Sequence, residues 1–287
     1  MRVAVIGLGS MGRRHALNIL ALGHEVVGVD PAGTDLGIPC HRTIAGLDSV
    51  DAAVIATHAN RHLSDAIPLI SLPLLIEKPL GLTTDVWPEA ERLWVGYNWR
   101  FDDDLAQLRE WAEAHPRNWA HFHFGQHLAE WRPGVPVASS PYLHSGLFLE
   151  ASHEIDLAIW MVRPWSIHTA AIPGTDSFDA TIISGQSDHG IYSIHLDWMT
   201  PGYRRDATIG CGDGVRSWTA PASAEETYRA EDRAFMESAA GRIDPRLATE
   251  TDGLRVLKFI GAALGGLTTF SNALVTNATE RPGLRIN

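Results

Sequence analysis

The residues best suited by type and spacing to do chemistry begin with the glycines near the amino terminus. Residues 7–12 (GLGSMG) fit the pattern G-x-G-x-x-G, follow the apolar run 3–6 directly and open a helical stretch. In that context Gly7 permits a tight turn, Gly9 lets the backbone approach a pyrophosphate, and Gly12 lets helix and strand pack closely. Free N–H groups at the helix start favour an anion. The segment therefore predicts a dinucleotide-binding site, against the alternative of a purely structural glycine turn.

An acidic residue stands where a dinucleotide site needs one. Asp30 ends the apolar run 25–30, eighteen residues past Gly12, and a carboxylate there can accept hydrogen bonds from an adenosine ribose. The same negative charge repels a 2′-phosphate. The predicted cofactor is therefore NAD, with NADP disfavoured.

Lysine is rare in this chain, so each lysine is a candidate for chemistry. Of the 23 basic residues only Lys78 and Lys258 are lysines, and lysine can donate a proton near neutrality whereas arginine cannot. Lys78 stands between Glu77 and Pro79 after the fourth predicted strand, where open α/β sheets present their ligand-binding groups. An ordinary surface lysine before a proline turn is the alternative interpretation.

The elements that must position these residues alternate between strand and helix in the first half of the chain. Predicted strands cover 3–6, 25–30, 52–56, 74–76 and 94–97, with helices at 11–22 and 62–69. Near-continuous apolar strands that alternate with helices indicate a parallel sheet covered on both faces. We therefore predict an α/β fold whose first domain, residues 1–118, is a doubly wound parallel sheet.

Beyond residue 118 the pattern changes. Strands are predicted at 119–126 and at several places between 166 and 220, and helices at 102–114, 148–161, 225–239 and 249–267. Tyr192, Ile194, Leu196 and Trp198 alternate with polar residues, as in a sheet with one covered and one wetter face. Residues 119–287 are therefore predicted to form a second, α+β domain.

Composition excludes several classes of protein. The net charge of −11 argues against nucleic acid as the main partner and against attraction to an anionic membrane. No apolar stretch reaches the roughly 18 residues of a membrane-spanning helix, and the first residues lack the cleavage site of a signal peptide. Cys40 and Cys211 form no disulfide framework or zinc motif. We expect a reduced, cytoplasmic protein.

Short motifs in a fixed order carry a resemblance to a known family. Besides residues 7–12 they are IAT at 55–57 followed by His62, EKPL at 77–80, GYNWRF at 96–101, SHEID at 152–156 and DGLRVL at 252–257. The chain resembles the Gfo/Idh/MocA oxidoreductases, relatives of glucose–fructose oxidoreductase and inositol dehydrogenase. The resemblance implies a Rossmann domain, a second domain with an open, mostly antiparallel sheet, and a nicotinamide cofactor. It also implies a sugar, polyol or sugar-nucleotide-like substrate and a homo-oligomer, either dimer or tetramer.

The resemblance also implies roles for individual residues. Lys78 and His153 are the catalytic pair: His153 removes the hydroxyl proton as hydride leaves for the nicotinamide, and Lys78 donates a hydrogen bond to the developing alkoxide. Cofactor-binding residues are Gly7, Gly9, Ser10, Met11, Gly12, Asp30, Thr57, His62, Glu77 and Lys78. Substrate-binding residues are Asn98, Trp99, Arg100, Trp131, Glu150 and Asp156.

The sequence departs from the family's pattern at two places. The family's aspartate four residues before the histidine is Leu149 here, and Glu150 stands three residues before it. The Tyr-Arg and Tyr-Ser segments that follow residues 131–134 in relatives are replaced by the shorter segment 135–142. These segments contact substrate in relatives, which indicates a smaller or different substrate.

Two other functions stay open. Galactose-regulon repressors keep the dinucleotide fold but act as cofactor-sensing regulators without turnover, and such a sensor needs neither Lys78 nor His153. The presence of both residues favours an enzyme. Reduction of a larger conjugated ligand, as in biliverdin-reductase-like relatives, requires a more open pocket, which the short segment around residue 138 permits.

Three histidines raise the question of a metal ion. His121, His123 and His127 alternate along a predicted strand, so they can share a face. No carboxylate–cysteine set joins them in the sequence, and the resemblance requires no metal. No metal site is therefore predicted.

Overall fold

The structure is a computed structural model that describes residues 1–115, 118–127, 130, 146–173 and 178–277. Its strands are β1 Arg2–Ile6, β2 Glu25–Val29, β3 Cys40–His41, β4 Ala52–Ile55, β5 Leu74–Glu77, β6 Leu93–Gly96, β7 Asn118–Gln126, β8 His168–Pro173, β9 Phe178–Ser187, β10 Gly190–Asp197, β11 Tyr203–Cys211, β12 Gly214–Thr219 and β13 Ala248–Thr249. Its helices are α1 Ser10–Ala21, α2 Ala59–Ala66, α3 Asp103–Ala114, α4 Gly146–Glu150, α5 Ser152–Val162, α6 Glu225–Ala239 and α7 Glu250–Asn277.

The first compact unit comprises Met1–Trp111 and Ala220–Leu257. Its seven strands lie in the order β13-β6-β5-β4-β1-β2-β3, and all neighbours pair in parallel except β13 with β6. The apolar runs predicted as buried strands are buried, because helices cover them; Val3, Val54 and Leu75 have no exposed surface. The order reverses between β1 and β4, and ligands bind at such a switch point in open α/β sheets.

The second compact unit comprises Ala112–Thr219 and Lys258–Asn287. The six strands described in this unit lie in the order β12-β11-β7-β10-β9-β8; β7 and β10 pair in parallel and the other described neighbours pair antiparallel. Tyr192, Ile194 and Leu196 are buried on one face, which confirms the alternation seen in the sequence. The fold is therefore a doubly wound parallel sheet with a second, mostly antiparallel sheet, as predicted.

The chain returns to the first unit after the second sheet, so a single boundary near residue 118 does not describe this division. Residues 220–257 add α6 and β13 to the first unit. Trp94 of β6 packs edge-on against Phe235 of α6, with ring centroids 6.0 Å apart, inside the core of that unit. β13 has only two residues, too few to show a periodicity, so the sequence pattern does not indicate that the chain returns to the first unit.

Several element boundaries differ from the predicted ones. The helix predicted over 148–161 is two helices, because Ala151 leaves the helical conformation with ψ at 19°. α2 begins at Ala59 and ends at Ala66, and a 3-10 turn follows at Ile67–Leu69. The last helix continues to Asn277 rather than ending near residue 267. Across the described part of the chain, no helix has both the length and the apolar character that crossing a membrane requires.

Candidate active site

The glycine-rich turn between β1 and α1 has the backbone shape that the motif predicts. Gly7 has a φ of +85°, and its N–H donates to the carbonyl of Val29 over 2.8 Å. A Cβ on Gly12 would overlap the carbonyl oxygen of Gly7, whereas a Cβ on Gly9 would meet none of the atoms that the structure describes within 4 Å. Packing therefore requires glycine at position 12, and Gly9 faces open space, as a pyrophosphate approaching the backbone needs.

The start of α1 is arranged to receive an anion. Among the described residues, no side chain caps this helix at Gly9, and its first turn contains no acidic residue. Its first N–H groups therefore keep their capacity to bind a negative group. Gly9 and Ser10 are both exposed, and Met11 is half-buried.

Asp30 connects the end of β2 to the glycine-rich turn. Its carboxylate accepts hydrogen bonds from the N–H groups of Leu8 and Ala32, each over 2.8 Å. A carboxylate has about four lone-pair positions, so two acceptor positions remain for a ribose hydroxyl. Nearby on α1, Arg13 forms an ion pair with Asp35.

A buried ion network lies directly before Lys78. His15 of α1 has no exposed surface, and its Nδ1 lies 2.6 Å from Asp232 while its Nε2 lies 2.9 Å from Glu77. Burial alone lowers the pKa of His15, but Asp232 and Glu77 outweigh burial and raise that pKa well above its ordinary value. Asn18 donates a further hydrogen bond to Asp232. His15 is therefore a cation that donates from both ring nitrogens to two carboxylates.

Glu77 connects this network to the backbone of Lys78. Burial acts to raise the pKa of Glu77, but His15 and Lys78 outweigh it and hold that pKa below its ordinary value. One carboxylate oxygen of Glu77 faces His15, and the other accepts the backbone N–H of Lys78 over 3.0 Å. Glu77 thus anchors the segment that carries Lys78, a half-buried side chain at the carboxyl end of β5.

Thr57 and His62 lie at the carboxyl end of β4. The Thr57 hydroxyl donates to Asp65, and the Thr57 methyl lies 2.8 Å from the position that a Cβ on Gly7 would take. His62 is buried, and its ring nitrogens face the backbone carbonyls of Thr57 and Pro79 at 2.9 Å. Burial lowers the pKa of His62 despite these carbonyls. This arrangement ties α2 to the segment after Lys78, which is a positioning role.

The predicted substrate residues of the first unit are buried within it. Asn98 donates to Thr227 over 2.7 Å, and Arg100 donates to Asp252 over 3.2 Å. Trp99 has only 4% of its surface exposed. These contacts hold the turn after β6 against α6 and α7, and the substrate-binding role of these residues stays a prediction.

Helix α5 carries two of the predicted site residues of the second unit, His153 as the acid–base residue and Asp156 as a substrate-binding residue. His153, Glu154 and Asp156 are all buried on it. Glu154 forms an ion pair with Arg205 of β11, whose guanidinium carbon lies 5.2 Å from the ring centroid of Phe124. Glu150, at the end of α4, is half-buried. Trp131 lies outside the described residues.

The predicted strand with alternating histidines exists, but its histidines contact different partners. The His121 ring lies 2.9 Å from the Ser193 hydroxyl, and burial lowers the pKa of His121. His123 instead lies beside His195 and Asp197 of β10, residues that sequence reasoning did not connect with it. Sequence reasoning also missed His15, Asp232 and Arg205, because no local pattern marks their contacts.

No family model and no curated protein matches the sequence, whereas solved structures match its fold. A scyllo-inositol dehydrogenase from Lactobacillus casei with bound NAD(H) and scyllo-inositol has 16% identity and a TM-score of 0.75, covering 94% of this chain and 97% of that one. The WlbA dehydrogenase from Bordetella pertussis in complex with NADH and UDP-GlcNAcA has 16% identity and a TM-score of 0.77, covering 94% and 96%. GenD2 from gentamicin A biosynthesis, in complex with NAD, has 20% identity and a TM-score of 0.77, covering 93% and 94%.

These neighbours are dehydrogenases of the Gfo/Idh/MocA type. The chain shares their two-domain fold over nearly its whole length, which confirms the fold that the motifs implied. At this level of identity the likeness concerns the fold, and the chemistry must be argued from the site.

Proposed function

We propose that this protein is an NAD-dependent oxidoreductase that transfers hydride between nicotinamide and a secondary alcohol or ketone. The observation that carries the proposal is the glycine-rich turn at the switch point between β1 and β4, where Gly9 faces open space and α1 begins without a side-chain cap in the described structure. The structural neighbours support it, because several were solved with NAD or NADH.

The residues present fit NAD better than NADP. The N–H groups at the start of α1 would hold the pyrophosphate, and Asp30 would accept hydrogen bonds from the adenosine ribose. A 2′-phosphate would meet the negative charge of Asp30, and Arg13, a guanidinium suited to a phosphate, is already paired with Asp35. When bound, the nicotinamide supplies the hydride acceptor or donor.

The residues of this chain would manage the proton and orient the substrate. We assign His153 as the base that removes the hydroxyl proton and returns it in the opposite direction. Lys78 would donate a hydrogen bond to the substrate oxygen as negative charge develops there. The His15–Glu77 contact would hold the backbone of Lys78, and the Arg205–Glu154 pair would hold the helix that carries His153.

The substrate class is proposed to be a sugar, polyol or sugar nucleotide, the kinds of molecule that two neighbours' structures contain. A panel of such substrates, assayed with NAD and NADP separately by the absorbance of the reduced cofactor, tests this directly.

Lys78→Ala and His153→Ala should each lose about 10²–10⁴ in turnover while NADH still binds. Lys258→Ala, which removes the other lysine from the exposed face of α7, is the matched control and should retain full activity. Normal turnover in Lys78→Ala or His153→Ala would contradict the assignment.

The regulatory alternative has no support in the comparisons, because the neighbours are dehydrogenases. Tight NADH binding without turnover on any substrate of the panel would restore it.

We also propose that the protein is a cytoplasmic homo-oligomer, dimer or tetramer, without nucleic-acid partners. Cys40 and Cys211 are free thiols, and the net charge is −11. One face of the second sheet carries large apolar side chains that are exposed: Trp119, Ile182, Ile191 and Val215. Such a patch on a soluble domain marks an interaction surface. Light scattering after size exclusion would test this, and a monomer at all concentrations would contradict it.

A further inference from the structure

We propose that the second sheet carries a binding site for a divalent metal ion of the zinc class, with His123, His195 and Asp197 as ligands. None of these three ligands is a residue assigned to the dehydrogenase function, and the site goes beyond the proposed function. It also departs from the expectation of no metal, which considered His121, His123 and His127 as a set.

The sheet register brings the three ligands together. His123 of β7 and His195 of β10 are directly paired neighbours, and Asp197 lies two residues beyond His195 on the same face. The two imidazole rings stack with centroids 4.8 Å apart. One potential ligand atom from each residue lies within 4.8 Å of the other two. A parallel pair of strands thus brings His123 beside a histidine and a carboxylate of β10, of which Asp197 is 74 residues away in the chain.

The distances are close to those of a bound ion. Asp197 Oδ2 lies 3.2 Å from His123 Nε2 and 3.6 Å from His195 Nε2. Zinc bonds of about 2.0–2.1 Å in tetrahedral geometry place ligand atoms roughly 3.3 Å apart. Two of the three separations already match this value. The third requires His195, whose side chain is 37% exposed, to turn toward His123.

His123 has the outer partner that metal-bound histidines commonly have. Its Nδ1 lies 3.4 Å from Asp206 Oδ2, so Asp206 can accept the Nδ1 proton and leave the Nε2 lone pair directed at Asp197. Asp206 is in turn held by Arg204 Nε over 2.7 Å. A carboxylate that orients a ligating imidazole in this way raises its basicity and fixes its tautomer.

Asp197 is held in place by its own neighbours. Its Oδ1 accepts the backbone N–H groups of Met199 and Thr200, at 2.8 and 2.6 Å, and its Oδ2 accepts the Thr200 hydroxyl at 3.0 Å. These bonds fix the carboxylate so that Oδ2 faces both histidines. Because the site contains two carboxylates, Asp197 and Asp206, and one arginine, Arg204, its net charge is negative, which favours a cation.

The test is direct zinc binding by the full chain, freed of any histidine tag and stripped with chelator. Equilibrium dialysis against Zn²⁺ followed by metal analysis should give one ion per chain. His195→Ala and His195→Gln should each remove this ion, and Asp206→Asn should weaken binding about 10–100-fold. His168→Ala removes an exposed histidine from strand β8 of the same sheet and should bind like the wild type.

Melting curves without zinc establish that each variant is folded. The proposal is overturned if zinc is taken up equally by the wild type and both His195 variants, because the ion would then bind elsewhere among the 14 histidines. It is equally overturned if the wild type takes up no zinc, since the cluster is then a hydrogen-bonded network only. Half an ion per chain, together with a mass in light scattering twice that of the zinc-free protein, would place the ion between two copies. That result would also contradict the proposal.

Discussion

Replacing His15 should destabilise the first unit more than almost any other single polar substitution in it. His15 is a buried cation between Asp232, which is fully buried, and Glu77, whose side chain is 8% exposed. Removing one partner from a buried ion pair costs about 3–5 kcal/mol, because it leaves uncompensated buried charge. Against a total stability of about 5–15 kcal/mol, His15→Ala should lose about a fifth or more of the free energy of unfolding.

The assay is urea unfolding followed by tryptophan fluorescence, with Trp94 as a reporter in the core of the first unit. His24→Ala is the matched control, because His24 is a partly exposed histidine of the same unit. Substitutions at such positions change stability by about 0.5 kcal/mol or less. A loss in His15→Ala no larger than that in His24→Ala would refute the argument that the network is a charged, stabilising one.

The same network predicts the pH dependence of stability. The pKa of His15 is raised in the folded state, so its contribution is complete below the unfolded value of 6.5 and is lost as pH rises through the folded pKa. The pKa of Glu77 is lowered, so its contribution is present above the unfolded value of 4.5 and is lost as pH falls through the folded pKa. Asp232→Asn removes the stronger of the two carboxylate partners of His15, so the alkaline loss should begin at lower pH. An alkaline limb that does not move would show that His15 is not its source.

Three further predictions concern the cofactor site and the second unit. Gly9→Ala should fold normally, because its Cβ meets no described atom within 4 Å. It should bind NADH at least about tenfold more weakly, since the methyl group occupies the approach of the pyrophosphate. Gly261→Ala, at a glycine on α7 that is equally open within the described structure, should leave NADH titrations unchanged. Asp30→Asn should weaken NADH binding about 10–100-fold, the value of a hydrogen bond to a charged group. It should also reduce the ratio by which the protein binds NADH more tightly than NADPH. An unchanged ratio of the two affinities would show that Asp30 does not contact the ribose. Arg205→Met should cost about 3–5 kcal/mol in urea unfolding because Glu154 stays buried without its partner, whereas Arg163→Met, an exposed arginine of the same unit, should cost about 0.5 kcal/mol or less.

The parts of the fold that the sequence predicted well are those whose cause is local. The turn from β1 into α1 follows from the glycines themselves, since Gly7 takes a positive φ and Gly12 leaves no room for a side chain. The helix predicted at 225–239 has those bounds in the structure. Periodicity and turn residues act over a few neighbouring positions, so they can be read without knowing what packs against them.

The parts that could not be predicted depend on contacts between distant segments. His15 contacts Asp232, which is 217 residues away in the sequence, and no sequence pattern near either residue indicates this contact. His123 meets His195 only because β7 and β10 pair in parallel in a sheet that is otherwise antiparallel. The histidines that alternate along β7 therefore suggested the wrong set of neighbours, since partners across the strands matter as much as neighbours along one.

The two candidate catalytic residues share a feature that neither motif explains. Lys78 directly follows Glu77, which is anchored by His15, and His153 directly precedes Glu154, which is anchored by Arg205. Buried ion pairs are poor sources of stability compared with apolar packing, but they fix geometry, because each member must face its partner. In each unit a buried ion pair thus anchors the residue next to the proposed catalytic side chain, which donates a hydrogen bond in the case of Lys78 and transfers the proton in the case of His153. We infer that these anchors serve to position Lys78 and His153, a role that non-directional apolar packing would not fill.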